Sequence, residues 1–495
     1  MSLLIKGVQI IDGEGRLPFK ADVFIQKNLI SAVGDLKYKK ADEIIDGMGN
    51  YLAPGFIDID TDSDHYLHLF SNPKQVDFTA QGVTTIIGGH CGTSLAPLLY
   101  GTLESIEGSA DLNKVNVDWH TTAEFLDSMK RVPLGVNFGT LSGHKTIRDA
   151  ITRGEQRNLT EQEFKVYEKV LAQSIREGSY GFSTGLGYIH GQYASEKEVK
   201  RLVGVLSGTG AVYATHLRNQ TDDVLKAIEE TVRVANYNEV KTLISHFRPL
   251  LGFEEQFTSS LEYIKENTPV GRLYFDIYPH DTSIYPIYKL LPTWVQSDNK
   301  SEMMEKFNNP EMVRKIKGEF KPLSEKIGEI RIAGAPKNGY LLGRLIREVA
   351  KDLEMEIPEA LIHIMKITNL KATIFSKDIN LELLENLLFD ERSFIASNGN
   401  SPAPGEFVKH ERSINTFPKF IDLVTGRKIM TLEKAIQKIT SAPAKYFGIA
   451  DRGVIKEGKV ADLVIMGQSD RKIRETIVAG CTGRGEILVH KPRRQ

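Results

Sequence analysis

At 495 residues the chain is long enough for one large domain with a satellite, or for two to four ordinary domains. Its 41% apolar and 26% charged residues are those of a soluble globular protein, and a net charge of -1 gives no global field favouring nucleic acid or an anionic membrane. No apolar run approaches the roughly 18 to 20 residues that span a bilayer. Residues 1–13 carry Lys6 and alternate like a strand rather than a secretory signal, and two cysteines, Cys91 and Cys481, exclude a disulfide framework and fit a cytoplasmic setting.

Taken in chain order, LLIKGVQIID, ADVFIQKNLISAVG and EIIDGMGNYLAPG alternate apolar and polar residues between Asp-Gly and Gly-Asn turns. They predict short strands over residues 1–54. The tail, residues 450–495, repeats the pattern in DRGVIKEGKVADLVIMG and RETIVAGCTGRG. One small β-sandwich domain formed by both chain ends is the economical expectation. Between them, over residues 55–449, eight short apolar runs alternate with amphipathic helical stretches. The runs lie near 55–59, 83–87, 135–139, 179–183, 211–215, 242–246, 273–277 and 393–397. Apolar strands separated by helices argue a parallel sheet covered on both faces, and eight units argue a (β/α)8 TIM-like barrel. About 115 residues separate the last two runs. Residues 281–392, with strand-like EIRIAGA and KATIFS, read as an insertion near the barrel mouth.

Such a barrel places its active site at the C-terminal ends of its strands. The first run ends in Asp58, Asp60, Asp62 and Asp64, which alternate and so share one face of an extended segment. The second ends in Gly-Gly-His90-Cys91-Gly, the fifth in His216, the sixth in His246 and the eighth in Asn398. A lone strand-end histidine is usually a hydrogen-bonded cap. Here His216 and His246 are thirty residues apart, one strand-helix unit, so they sit side by side on neighbouring strands. With Cys91 they make one thiolate and two imidazoles, a set suited to a catalytic zinc with its fourth position open. Four crowded carboxylates would hold some protons unless a cation stood nearby. Hydrolysis of an amide C–N bond suits such a centre, because a divalent cation activates water and polarises a carbonyl.

The stretches LAPGFIDIDTD, QGVTTIIGGHCGTSLAP, LSGHKTIR, YGFSTGLGYIHGQYA, YATHLRNQTDDVLKAIEE, ISHFRP, FDIYPHDTS, LPTWV, FIASNG, HERSINTFPKFI, TLEKAIQKITSAPAKYFGI and DRGVIKEGKVADLVI appear in this order. In them the chain resembles the N-acyl-D-amino-acid deacylase (D-aminoacylase) family of the amidohydrolase superfamily, nearly end to end. The resemblance implies a zinc enzyme that cleaves N-acyl groups from small N-acyl D-amino acids, with Cys91, His216 and His246 as metal ligands. It implies that Arg248 and Arg412 meet the substrate carboxylate, and it adds His144, Tyr278 and His280 to the substrate-binding set. Departures stand at its centre, among them His90 where the family has Asn and His280 where a Tyr is common. Asp60-x-Asp62 replaces the family's His-x-His, and Asn398 replaces its catalytic Asp. One zinc ion is therefore expected rather than two, with Asp60 or Asp62 inheriting the base role. Metal-assisted acyl transfer or condensation, and a catalytically silent binding homologue, remain open alternatives from sequence.

Overall fold

The computed structural model describes residues 2–100, 103, 115–188, 191–297, 300–403, 408–479 and, as backbone, 487–490. Cys481 lies outside the described residues. The chain forms two compact units, residues 1–279, 381–401 and 411–495 in one, and 280–380 with 402–410 in the other.

In the first unit both chain ends build one eight-stranded sheet. Its order is Ile487–His490, Ile473–Ala479, Leu463–Met466, Tyr51–Pro54, Ser2–Ile10, Phe19–Gln26 and Leu29–Gly34, with Glu43–Asp46 also pairing on Ser2–Ile10. Tyr51–Pro54 is the seam. It pairs parallel with the N-terminal strand and antiparallel with Leu463–Met466. Alternate residues of these strands point inward, and Leu3, Ile5, Val23, Ile25, Leu463, Ile465 and Ile477 are among those that form its core.

The rest of this unit is a TIM-barrel-like α/β domain, and every one of the eight apolar runs overlaps a strand. The strands are Phe56–Asp58, Val83–Gly88, Asn137–Thr140 continued by Ser142–Gly143, Gly181–Gly185, Val212–His216, Lys241–Ile244, Leu273–Ile277 and Ser393–Ile395. Each pairs parallel with the next. Across the Thr140–Ser142 break, Leu141 N donates to Gly88 O and Tyr180 N donates to Thr140 O. The eighth strand returns to the first, since Asn398 N donates to Asp60 O at 2.8 Å and Asp62 N donates to Gly399 O at 2.7 Å. The intervening helices carry their own signals. Thr160 and Glu163 cap Glu161–Arg176 reciprocally, and that helix buries Tyr167 and Leu171.

The sixth and eighth strands stop short of their apolar runs, at Ile244 and Ile395. His246 and Asn398 then take positive φ, 40° and 45°, a backbone that cannot continue a ladder. The chain leaves the sheet where its polar residues begin.

The second unit holds a three-stranded antiparallel sheet ordered Thr282–Pro286, Thr373–Lys377, Arg331–Gly334. EIRIAGA and KATIFS supply two of these strands. Its separate core includes Ile287, Met303, Phe320, Ile332, Leu361 and Ile374. Leu381–Leu387 falls inside the expected insertion by number but belongs to the first unit. No helix among the described residues is long and apolar enough to cross a membrane.

Gly181, which opens the fourth barrel strand, has no room for a side chain, since a Cβ there would stand 1.9 Å from Val212 O. Gly181→Ala is expected to strain the ladder by about 1–3 kcal/mol. Thermal unfolding checks this; an unchanged midpoint contradicts the packing described.

Candidate metal centre and carboxylate clamp

Cys91, His216 and His246 converge. Cys91 sits in the turn after the second strand with φ 53°, between Gly89 at 78° and Gly92 at 79°. Glycine is required at 89, where a Cβ would lie 2.2 Å from Leu141 O. Ser183 Oγ accepts from Gly92 N at 3.1 Å, which fixes the turn. His216 closes the fifth strand, and His246 lies two residues beyond the sixth, its N–H donating to Asp276 Oδ1 at 2.8 Å. Cys91 Sγ is 3.9 Å from His216 Nδ1 and 3.4 Å from His246 Nε2, and the two nitrogens are 3.1 Å apart.

These spacings fit a metal ion. Tetrahedral zinc, with bonds of about 2.0 Å to nitrogen and about 2.3 Å to sulfur, separates two nitrogens by about 3.4 Å and nitrogen from sulfur by about 3.6 Å. Among the described residues this is the one group of three or more potential ligands whose donor atoms come together in this way. Tyr188 borders it, its ring centroid 4.3 Å from that of His216 and its hydroxyl 3.8 Å from Cys91 Sγ.

Beside this set lies a buried acidic group. Asp58, Asp60 and Asp276 are fully enclosed, and both oxygens of Asp60 and Oδ2 of Asp58 and of Asp276 meet no hydrogen-bond donor among the described residues. Burial pushes all three carboxyls above their ordinary range, Asp58 to about 7; the charges of Asp276 and Asp62 add to it at Asp60. Burial likewise raises the Cys91 thiol, and the charges of Asp60 and Asp62 raise it further. A divalent cation reverses this balance, holding the thiolate and neutralising the acids. The donor chemistry and the orphaned oxygens therefore both suit a cation. His90 holds no such charge. Burial lowers it to about 4, and its Nε2 donates to Ile59 O at 2.7 Å.

A second cluster is cationic. Arg248 Nη1 and Arg412 Nη1 both donate to the Tyr278 hydroxyl, at 3.3 Å and 3.5 Å. Arg412 also approaches Asp62 Oδ2 at 3.8 Å, and His65 Nδ1 is 3.3 Å from Asp62 Oδ1. Burial opposes a charge on His65, but Asp64 and Asp62 outweigh it and raise that imidazole to about 9. Gln220 links the two clusters, accepting from Arg248 Nη2 at 2.8 Å and reaching His246 Nδ1 at 3.4 Å.

Residues 368–483 match the amidohydrolase family. D-aminoacylase of Alcaligenes xylosoxydans xylosoxydans is 27% identical over 94% of this chain and 87% of its own length. N-acyl-D-glutamate deacylase of the same organism is 27% identical over 99% and 93%. The solved N-acyl-D-glutamate deacylase of Bordetella bronchiseptica, complexed with zinc and a phosphonate inhibitor, matches in fold. Its TM-score is 0.77 over 96% of this chain and 95% of its own, at 23% identity. Over nearly its whole length the chain is thus similar to the D-aminoacylases of the amidohydrolase superfamily.

The remaining candidates have other partners. His144, expected to meet the substrate, has protein partners in the structure. It is wholly buried among the Tyr167 and Phe182 rings, and its Nε2 lies 2.8 Å from Glu198 Oε1, which also accepts from Arg148 Nε at 3.0 Å. The Gly-His-x-x-x-Arg stretch thus forms a buried ion-pair group on the helix His144–Thr152. His280 belongs to the second unit, where its ring is 6.2 Å from that of His410. Asn398 stands next to the first strand through its backbone bond to Asp60. Sequence reading passed over Asp276, Tyr188 and Gln220. Asp276 carried a usable signal, since an acid closing the apolar run LYFDI is as conspicuous as a histidine closing one.

Burial opposes ionisation of Glu198, yet the hydrogen bond from His144 and the charges of His144 and Arg148 hold its carboxyl below 4.5. A depressed carboxyl contributes stability above its unfolded value, and that stability is lost as pH falls through the folded one. Glu198→Gln strands Arg148 and is expected to lose about 3–5 kcal/mol, while bound metal stays unchanged. The difference from wild type should shrink below pH 4.5. Calorimetry across pH with metal analysis checks both; lost metal would return His144 to the site.

Proposed function

We propose that this protein hydrolyses the amide bond of a small N-acyl amino acid or related acyl amide, with Cys91, His216 and His246 holding one zinc ion. The observation that carries the reading is the approach of three donor atoms from three strand ends to between 3.1 and 3.9 Å. The relatives named D-aminoacylase and N-acyl-D-glutamate deacylase support an acylated D-amino acid as the substrate class. The proposed frame is a closed (β/α)8 barrel over residues 55–449, with the sheet of segments 1–54 and 450–495 as a β-sandwich domain.

When bound, the ion polarises the scissile carbonyl and brings the pKa of water towards neutrality. Arg248 and Arg412, joined at the Tyr278 hydroxyl, offer two guanidinium forks to the substrate carboxylate. Asp62 is the general base. Its side chain is 16% exposed whereas that of Asp60 is 0%, so water reaches Asp62. His65 and Arg412 orient its two oxygens. Asp60 and Asp276 stay enclosed and shape the field around the thiolate. Asn398 cannot accept a proton at useful pH and serves as a neutral hydrogen-bonding group.

Wild-type protein should carry about one zinc per chain, and Cys91→Ala should lose both zinc and turnover of N-acyl amino acids. Asp62→Asn should keep its zinc while kcat falls by about 10²–10⁴-fold. Arg412→Ala should act mainly on KM. Equal metal content in wild type and Cys91→Ala sinks the zinc set, and full turnover in Asp62→Asn removes the assigned base.

A further inference from the structure

Gln220 lies in the loop after the fifth strand, four residues past His216, and its amide touches both clusters. Oε1 accepts from Arg248 Nη2 at 2.8 Å, and Nε2 is 3.4 Å from His246 Nδ1. Chemistry dictates this orientation. A guanidinium has only donors, so the amide oxygen faces Arg248 and the NH2 group faces the imidazole. His246 Nδ1 is then the acceptor, and the neutral ring carries its proton on Nε2. That is the atom directed at Cys91 Sγ and His216 Nδ1, at 3.4 Å and 3.1 Å.

A metal ligand must present a bare lone pair, so coordination through Nε2 places the ring proton on Nδ1. There it meets the Gln220 NH2 group, donor against donor. Turning the amide over removes the conflict, because Oε1 then accepts from Nδ1–H. The same half-turn takes the oxygen away from Arg248 and sets an NH2 group against it. The Arg248 N–H that bonded Gln220 then points at a donor, and an incoming carboxylate satisfies it.

We propose that Gln220 is a positioning residue coupling occupancy of the metal set to carboxylate binding at Arg248. The inference rests on the zinc reading of Cys91, His216 and His246. Filling either site turns the Gln220 amide towards the state that favours the other, so each ligand tightens the other by the same factor, as linkage requires. The factor is about tenfold, the order set by one unmade buried hydrogen bond.

Zinc affinity is measured by competition with a chromophoric chelator, with and without propionate, and propionate affinity by calorimetry, with and without zinc. In wild type each should tighten the other by about tenfold. Gln220→Leu should retain zinc, bind propionate more tightly in its zinc-free form, and lose most of the coupling. Gln220→Glu can accept from Nδ1–H and hold Arg248 together, so zinc should tighten while propionate weakens. General damage to the loop weakens both. Equal coupling in wild type and Gln220→Leu, or both affinities shifting the same way in Gln220→Glu, overturns the proposal. A wild type that binds propionate but takes up no zinc overturns the underlying zinc reading, and this inference with it.

Discussion

Three ligand atoms held within 3.9 Å of one another repel once each presents a bare lone pair, unless positive charge stands between them. The site depends on the scaffold imposing that approach. Two of the three donors leave the sheet on left-handed backbone, Cys91 at φ 53° and His246 at φ 40°. Such a conformation costs on the order of 1–2 kcal/mol for a residue with a side chain. It persists because the surroundings over-determine it. Asp276 accepts the His246 N–H, and the Ser183 hydroxyl oxygen accepts the Gly92 N–H. Strain at the strand ends is the means by which a regular ladder aims irregular chemistry inward.

Charge follows from the same geometry. Asp58, Asp60 and Asp276 are carboxyls without solvent, and burial drives each towards its protonated form. Their positions are nevertheless fixed by backbone bonds. Asp58 accepts from Ser397 N, Asp276 accepts from His246 N, and the Asp60 carbonyl accepts from Asn398 N. The first, seventh and eighth strands are thus tied to the loops that carry the site. These acids are structural fasteners as well as sources of field.

Much of this was legible in the chain. The eight apolar runs, the paired strand-end histidines one unit apart and the Gly-Gly-His-Cys-Gly turn each carry a local signal, since strand burial and tight turns are set by neighbouring residues. Partners distant in sequence were not legible. His144 read as a site residue because its motif was matched, while the residue that claims it, Glu198, is fifty-four positions away. Gln220 was invisible for a similar reason. Its amide has meaning only through His246 and Arg248, which the fold brings to it. Strand lengths also depended on more than apolarity. The sixth run continues past Ile244 in sequence, but the backbone of His246 ends the ladder.

The cationic cluster completes the charge pattern. Two guanidiniums share the Tyr278 oxygen, an arrangement that like charges resist and that only an anion relieves. Asp62 supplies part of that relief at Arg412, at 3.8 Å, and is itself shared with His65 at 3.3 Å. The first-strand loop and the segment after the eighth strand are therefore bound by one ion-pair chain. Gln220 extends the connection from Arg248 to His246, so acid, guanidinium, amide and imidazole form a continuous line of polar contacts. A change of charge at either end of that line alters which donors and acceptors the other end can satisfy.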